Sequence, residues 1–404
     1  MSGDTVIVVG AGPVGLLTAL GLARSGVRVT VVESEPAIVD SPRAVVYHWS
    51  VLDGLERLGI LADVKRIGLT KQDYMYRIFA TGESICWSLA PLADYTAHPY
   101  NVHLGQNRLA EVALEHLRRI SRTSVLFGAR VTGLVQDRGG VTVQVSTTEG
   151  PRELRAAWVV GADGARSAVR QALGLGFEGM TWPERFVATN VVYDFARHLG
   201  LARATMFVDP RFGAIIVKID GAGLWRCTYC EDASLPEEGV LERIPAYFRA
   251  ILPHGAEYEL KQWSPYRMHQ RAAQRFRVGR VVLAGDAAHV TNPTGGLGLT
   301  SGMFDCFVLY EALAAVVHGE AGEEVLDRYC EERRRVFWEL VSPQACENKR
   351  LIYHSHDPAR LEQDLASLRR LATDKDFLIE RALFTRKLAT PSLLTGHATR
   401  AALA

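Results

Sequence analysis

The sequence predicts an α/β fold in which a parallel-sheet, dinucleotide-type domain is interrupted by a mostly antiparallel β domain and followed by a helical C-terminal region. Three observations carry this expectation. The chain opens with the continuous apolar run Thr5–Val9, which suits a strand buried on both faces of a parallel sheet. From about Thr181 to Arg271, short alternating segments and turn residues replace that pattern, and an apolar strand of the first kind returns only at Arg280–Ala284. After Thr300 helical spacing dominates.

Taken in order, Thr5–Val9 is followed by a glycine-rich turn and a helix-like stretch from Leu16 to Ser25, which Gly26 is placed to end. Val27–Val32 reads as the next parallel strand, completing a βαβ unit. Helical patterns recur at Val51–Leu61 and at Gln106–Ile120, where Leu109, Val112, Ala113 and Leu117 share a face. Ser124–Val145 alternates like paired strands around Arg138-Gly139-Gly140. Strand-like segments then fall at Val187–Tyr193, Ala214–Ile219 and Leu224–Cys230, and helical ones at Tyr310–Val317, Val325–Leu340 and Leu361–Leu371.

Composition narrows the function classes. Hydrophobic residues at 48% and charged residues at 23% give an ordinary globular balance. A formal net charge of +1 supplies no long-range field for nucleic acid or a membrane surface, so neither is an expected partner. The apolar stretch Val6–Leu22 lacks the basic leader of a signal peptide, and no run of about 18 apolar residues predicts a membrane span. The six cysteines lie in apolar or helical contexts. The Cys227–Cys230 spacing has no second pair to make a zinc site, and a reducing cytoplasm is expected.

Gly10-Ala11-Gly12-Pro13-Val14-Gly15 has the spacing of a dinucleotide fingerprint. Gly10 permits the tight turn, Gly12 lets the backbone approach a pyrophosphate, and Gly15 packs the helix on the sheet. The helix start offers unpaired N–H groups to phosphate. Glu33 ends the second strand about 20 residues on, where an acid binds ribose hydroxyls. These residues do not separate FAD from NAD.

Two further turns do. Asp163 follows a buried strand within Gly161-Ala162-Asp163-Gly164, and Gly285-Asp286 ends the strand that returns at Arg280. A second glycine cluster, Pro293-Thr294-Gly295-Gly296-Leu297-Gly298-Leu299, could cradle phosphate or a flavin edge at a helix start. Together these motifs resemble the class A flavoprotein monooxygenases, the p-hydroxybenzoate hydroxylase-like aromatic hydroxylases.

The resemblance runs from the N-terminus to about Leu313 and implies a Rossmann-like FAD-binding domain with an inserted, mostly antiparallel β-sheet substrate domain. The implied division gives 1–72, 101–180 and 272–320 to the FAD domain, 73–100 and 181–271 to the substrate domain, and 321–404 to the C-terminal helices. By resemblance, Gly10, Gly12, Pro13, Gly15 and Glu33 hold the adenosine half of FAD, with Val131 also at the cofactor. Gly285 and Asp286 serve the flavin-side ribose, and Asp163 is associated with FAD and with the nicotinamide cofactor. Arg43 and Gln106 resemble the family's arginine and glutamine contacts, and Pro293, Gly295, Gly296, Gly298 and Leu299 would lie beside the isoalloxazine. Leu297 and Thr300 stand where many members carry Gln and Asn, which leaves backbone contacts at those positions.

The implied reaction uses NADH or NADPH and O2 to hydroxylate a small phenolic, aminoaromatic or heteroaromatic substrate through a flavin C4a-hydroperoxide, with the hard chemistry on the cofactor. A monomer or homodimer is expected. Candidate groups on the substrate are His48, just after the arginine segment, and Arg226 and Tyr229 on the Leu224–Cys230 strand. Period-2 geometry puts Trp225, Cys227 and Tyr229 on one face and Arg226 and Thr228 on the other. Lys218 is a further cation nearby, and His289 is expected to support the FAD site rather than act as a base. Competing readings are a reductase or halogenase of the same fold, or a non-catalytic flavin protein that sequesters an aromatic ligand. The tryptophan signature of halogenases is missing, as are HExxH and GxSxG motifs. His354 and His356 make two potential ligands without a third, so no metal site is expected.

Overall fold

Two large sheets organise the molecule, and the space between them is the site. The computed structural model describes residues 5–40, 45–221 and 223–394; Arg43, one of the expected cofactor contacts, lies outside the described residues.

The first sheet has six strands in the order Arg277–Val278, Val281–Leu283, Trp158–Gly161, Thr5–Val9, Arg28–Val32 and Thr123–Leu126. All neighbours are parallel except the short first pair. Its central strands are valine-rich and almost wholly buried, as both faces are covered. The helix Pro13–Arg24 starts with proline at its first turn, where a missing N–H costs nothing, and ends before Gly26 at φ +85°. It packs so tightly on the long helix Leu297–His318 that a Cβ on Gly21 would lie 2.3 Å from the Tyr310 ring. The paired-strand expectation for Ser124–Val145 needs correction at its start. Thr123–Leu126 joins the parallel sheet beside Arg28–Val32, and the meander comprises Arg130–Asp137, Gly140–Thr147 and Gly150–Ala156. Local alternation cannot tell which neighbour a strand will take.

The second sheet has eight strands, ordered His289–Val290, Glu259–Ala273, Phe177–Val192, Leu224–Asp232, Ala214–Lys218, Ala204–Val208, Asp73–Ile78 and Ser84–Ser88. It is antiparallel except between Ala204–Val208 and Asp73–Ile78. Phe177–Val192 starts ten residues before the expected Val187–Tyr193 segment, and its partner Glu259–Ala273 had not been expected; register shifts absorb the Pro183 region and the bend near Asn190. One face carries Phe207, Ile216, Trp225, Cys227 and Tyr229 and packs on the helix Val240–Ile251. The opposite face looks toward the first sheet.

Leu297–His318 is long and apolar enough to cross a bilayer, but 78% of its apolar window is buried inside the molecule, where it serves as the core helix. Beyond it, Glu324–Val336 and Ser342–Tyr353 form one rod joined by the π-helical turn Phe337–Val341. Pro358–Thr373 and Lys375–Ala382 follow, and a tight helical turn, Leu383–Leu388, closes against the body.

Candidate active site

A cavity of about 1510 Å³ separates the sheets. That exceeds the roughly 300–1,000 Å³ typical of a site for one drug-sized ligand. Gly12, Asp163 and Asp286 all line this one cavity, so the three glycine-and-acid turns converge in space.

At the dinucleotide end the walls are backbone turns. Gly10 has φ +106°, and a Cβ there would come within 2.4 Å of the Ala162 carbonyl, so only glycine lets these two turns meet. A Cβ on Gly12, by contrast, would project into open space along the trough. Glu33 is fixed from below: the Ala11 N–H donates to Oε2 at 2.7 Å and the Glu35 N–H to Oε1 at 2.9 Å. The Ser34 hydroxyl also donates to Oε1 at 3.1 Å; a carboxylate has about four acceptor positions, so one, on Oε2, remains for a ribose hydroxyl. Pro13, Gln106, Val131, Pro293, Gly295, Gly296, Gly298 and Leu299 also line the cavity.

Three of the expected cofactor residues play another part. Gly15 and Gly285 are not on the cavity wall: Gly15 packs against the Gly10 carbonyl, and the Gly285 N–H donates to the buried Asp305 at 2.9 Å. Both shape turns. Asp163 lines the cavity but directs its carboxylate inward, accepting from the Ser167 hydroxyl at 2.5 Å and the Val169 N–H at 3.1 Å. Burial pushes its pKa up, and these hydrogen bonds partly offset that. Its neighbour Asp286 is exposed to the cavity.

Sequence reasoning missed Arg170, which ties the second turn to the third. Its guanidinium donates to the Ala287 carbonyl at 3.0 Å and to the Ala165 carbonyl at 2.7 Å, and it lies 3.8 Å from the Phe177 ring centroid. Its only sequence signal was a cation near an Asp-Gly turn.

The other end of the cavity is walled by side chains. His48 sits at the junction: its Nε2 is 2.7 Å from the Gly295 carbonyl. A carbonyl only accepts, so Nε2 carries the proton and Nδ1 keeps a lone pair. Burial holds this imidazole below its ordinary pKa, against the raising effect of the Gly295 bond. Arg226 lines the cavity from the second sheet and is buried. Its Nε donates to Asn190 Oδ1 at 2.9 Å, and Asn190 Nδ2 donates to Gln262 at 2.9 Å, which fixes the guanidinium plane. Burial lowers Arg226 to about 10, which leaves it charged at neutral pH.

Tyr229 is corrected. It faces the other side of the sheet, stacked on Tyr247 at 3.8 Å and 7°, with a buried hydroxyl that has no hydrogen-bond partner among the described residues. Lys218 likewise turns its Nζ toward Trp225 at 6.0 Å and does not line the cavity. Cys227 and Cys230 fall on opposite faces, as a three-residue offset in a strand requires, and both are free thiols.

The remaining wall comes from places no motif marked. Tyr74 and Trp87, stacked at 4.7 Å, supply one flank, Met206 and Ile215 the roof, and Leu378, Ala382 and Thr385 the far side. Only the fold brings them together.

This donor set fits FAD. A trough floored by glycine turns, a held acid where a ribose would lie, and a second pair of glycines, Gly295 and Gly296, at φ +90° and +69° before a 22-residue helix give backbone cradles for the dinucleotide. When bound, the flavin supplies the oxygen chemistry and the protein supplies orientation and exclusion of water.

Comparison with known proteins agrees. A family model described as "FAD binding domain" matches residues 4–344. The chain is 44% identical to 6-hydroxy-3-succinoylpyridine 3-monooxygenase of Pseudomonas putida over 95% of this chain and 98% of that one. It is also 44% identical to para-nitrophenol 4-monooxygenase of a Pseudomonas species, over 95% of this chain and 96% of the other. The crystal structure of p-nitrophenol 4-monooxygenase from Pseudomonas putida superposes with a TM-score of 0.91, covering 95% and 98% of the two chains at 44% identity. Aklavinone-11 hydroxylase, solved with FAD and aklavinone, superposes at 0.79 with 30% identity, covering 87% of this chain and 70% of the other. With the three turns gathered on one cavity and the relatives at 44% identity matched over nearly their whole length, the chain belongs to the class A flavoprotein monooxygenases, FAD-dependent enzymes that hydroxylate aromatic rings.

Proposed function

We propose that this enzyme acts on a hydroxylated six-membered aromatic ring and oxygenates the carbon para to the hydroxyl, where a substituent already stands. The names of the two relatives at 44% identity support the position: each pairs a ring hydroxyl with oxygenation at a para carbon that bears a succinoyl or nitro group. Ionising the hydroxyl raises electron density at that carbon, so a site for this chemistry needs a proton acceptor and a partner for the resulting oxyanion. One observation carries the reading: a buried, charged guanidinium, Arg226, fixed by Asn190 in the wall of the chamber that His48 also lines. In this reading the Nδ1 lone pair of His48 takes the phenolic proton and Arg226 holds the oxygen. The aromatic flank of Tyr74 and Trp87 packs on the ring.

The cofactor contacts follow the same reading. Gly12, Pro13 and Glu33 serve the adenosine half, Asp286 the flavin-side ribose, and Gly295–Leu299 the ring edge, with NADH or NADPH as reductant. Six free thiols suit a reducing cytoplasm, with the enzyme working as a monomer or homodimer.

The test is a steady-state screen of the purified yellow protein with 4-nitrophenol, 3-acyl-6-hydroxypyridines and phenols unsubstituted at the para carbon. NAD(P)H oxidation, product mass and the released substituent are followed. The para-substituted compounds should stimulate oxidation and give a ring bearing oxygen in place of the lost group. Equal turnover of para-unsubstituted phenols would remove the positional assignment.

A further inference from the structure

We infer that Asp305 and Arg333 are positioning residues that couple the cofactor loop to the C-terminal wall of the substrate chamber. The inference rests on the reading that the flavin nucleotide lies along the trough lined by Gly12, Asp286 and Gly295.

Both residues are fully buried. Asp305, on the long core helix, accepts from the Gly285 N–H at 2.9 Å and from His289 Nε2 at 2.7 Å through Oδ2, and from Arg333 Nε at 2.6 Å through Oδ1. Arg333, on Glu324–Val336, spends its other donors on acceptors in two segments. Nη1 reaches the Leu388 carbonyl at 2.6 Å and the Thr390 hydroxyl at 3.0 Å, and Nη2 reaches the Ser301 carbonyl at 3.2 Å and hydroxyl at 3.0 Å. All five donors of the fork are therefore matched.

The matched groups belong to different walls of one cavity. Gly285 and His289 bracket Asp286. Ser301 lies one turn beyond the Gly295–Gly296 cradle. Leu388 and Thr390 directly follow Ala382, Phe384, Thr385 and Lys387, which line the far side of the chamber. A packed apolar cluster would stabilise a fold as well as a buried ion pair does, often better. What only a planar fork supplies is a fixed register between the two walls. A displacement of the Gly285–His289 loop when the dinucleotide seats would pass through the Asp305 carboxylate to Arg333 and so to residues 388–390. Burial alone would raise the Asp305 carboxyl; the charges and hydrogen bonds of His289 and Arg333 outweigh it and keep it ionised.

The experiment is hydrogen exchange on the full-length protein with FAD bound and after its removal, alongside FAD affinity from flavin fluorescence. In the wild type, loading FAD should slow exchange of the 382–390 amides by about ten-fold, the effect of roughly 1.4 kcal/mol. Arg333→Lys keeps the charge but cannot reach Leu388 and Ser301 together. It should bind FAD within about three-fold of wild type while FAD no longer slows exchange at 382–390. Thr390→Val, which removes one contact and leaves the ion pair, should show the same loss in part, and it decides the matter if Arg333→Lys does not fold. Exchange at 382–390 that ignores FAD in the wild type overturns the coupling, as does full protection in both variants. A protein that takes up no FAD overturns the cofactor reading and the coupling with it.

Discussion

The two ends of the cavity are built on opposite plans. The dinucleotide end is made of backbone: turns at Gly10, Gly285 and Gly295–Gly296, each at positive φ, each within a few residues of the strand it terminates. The substrate end is made of side chains from segments far apart in the chain, His48, Tyr74, Trp87, Arg226 and Ala382 among them. Where backbone meets backbone, as at Gly10, an added methyl group is excluded, whereas a side-chain site tolerates a changed shape and answers with changed chemistry. The fold can therefore keep its cofactor while its substrate end varies.

The sharpest break of this contrast is Gly10→Ala. A left-handed φ costs an L-residue roughly 1–2 kcal/mol, before the clash with the Ala162 carbonyl. Purified G10A should be colourless or lose its flavin on gel filtration; a yellow protein with wild-type FAD content would show that the turns do not depend on close approach. At the side-chain end, His48→Gln should keep FAD and lower kcat/KM by about 100-fold, the usual scale of a positioned base. Its pH profile sharpens the point. On the proposed reading His48 works as the neutral imidazole, and burial holds its pKa below the ordinary value, so the wild-type kcat/KM should be flat at neutral pH and fall only as pH drops through that lowered pKa. The variant should lack this acid limb, and a limb that persists unchanged would belong to another group.

Arg226→Met should cost about 10- to 150-fold in kcat/KM, matching the roughly 1.5–3 kcal/mol of a hydrogen bond to a charged group. Flavin content should not change, and a variant that loses FAD along with activity would blur the two ends into one site. The smallest effect is expected at Tyr229→Phe. Its hydroxyl is buried without a hydrogen-bond partner among the described residues and faces away from the cavity, so kinetics should stay within about two-fold and stability should hold or rise slightly. A ten-fold loss in kcat/KM would place the second sheet's outer face in the chemistry.

The same division explains what the sequence disclosed. The turns that hold Gly10, Gly12, Glu33, Asp286 and Gly295 could be placed from the chain because each folds from its own neighbours, and the family resemblance then drew them to one cavity. Period-2 alternation correctly separated Arg226 from Tyr229 but could not say which face meets the cavity, since that depends on the helix Val240–Ile251 covering the other side. The role of Thr123–Leu126 was misread because strand pairing is a long-range choice. Arg333 gave no signal at all: within its helix it is one basic residue among Arg333, Arg334 and Arg335, and only burial singles it out.

The π-helical turn at Phe337–Val341 acts as a one-residue phase correction in the rod that holds Arg333. Each residue of an α-helix advances the side-chain direction by about 100°. Deleting one residue from that turn would leave both halves helical yet rotate Ser342–Tyr353 by that angle against Glu324–Val336. Asn348 would then leave the Thr294 carbonyl, and Lys349 would leave Glu184, although neither residue had been touched. A length change far from any motif would thus reach the Pro293–Leu299 loop of the cavity wall by torsion alone.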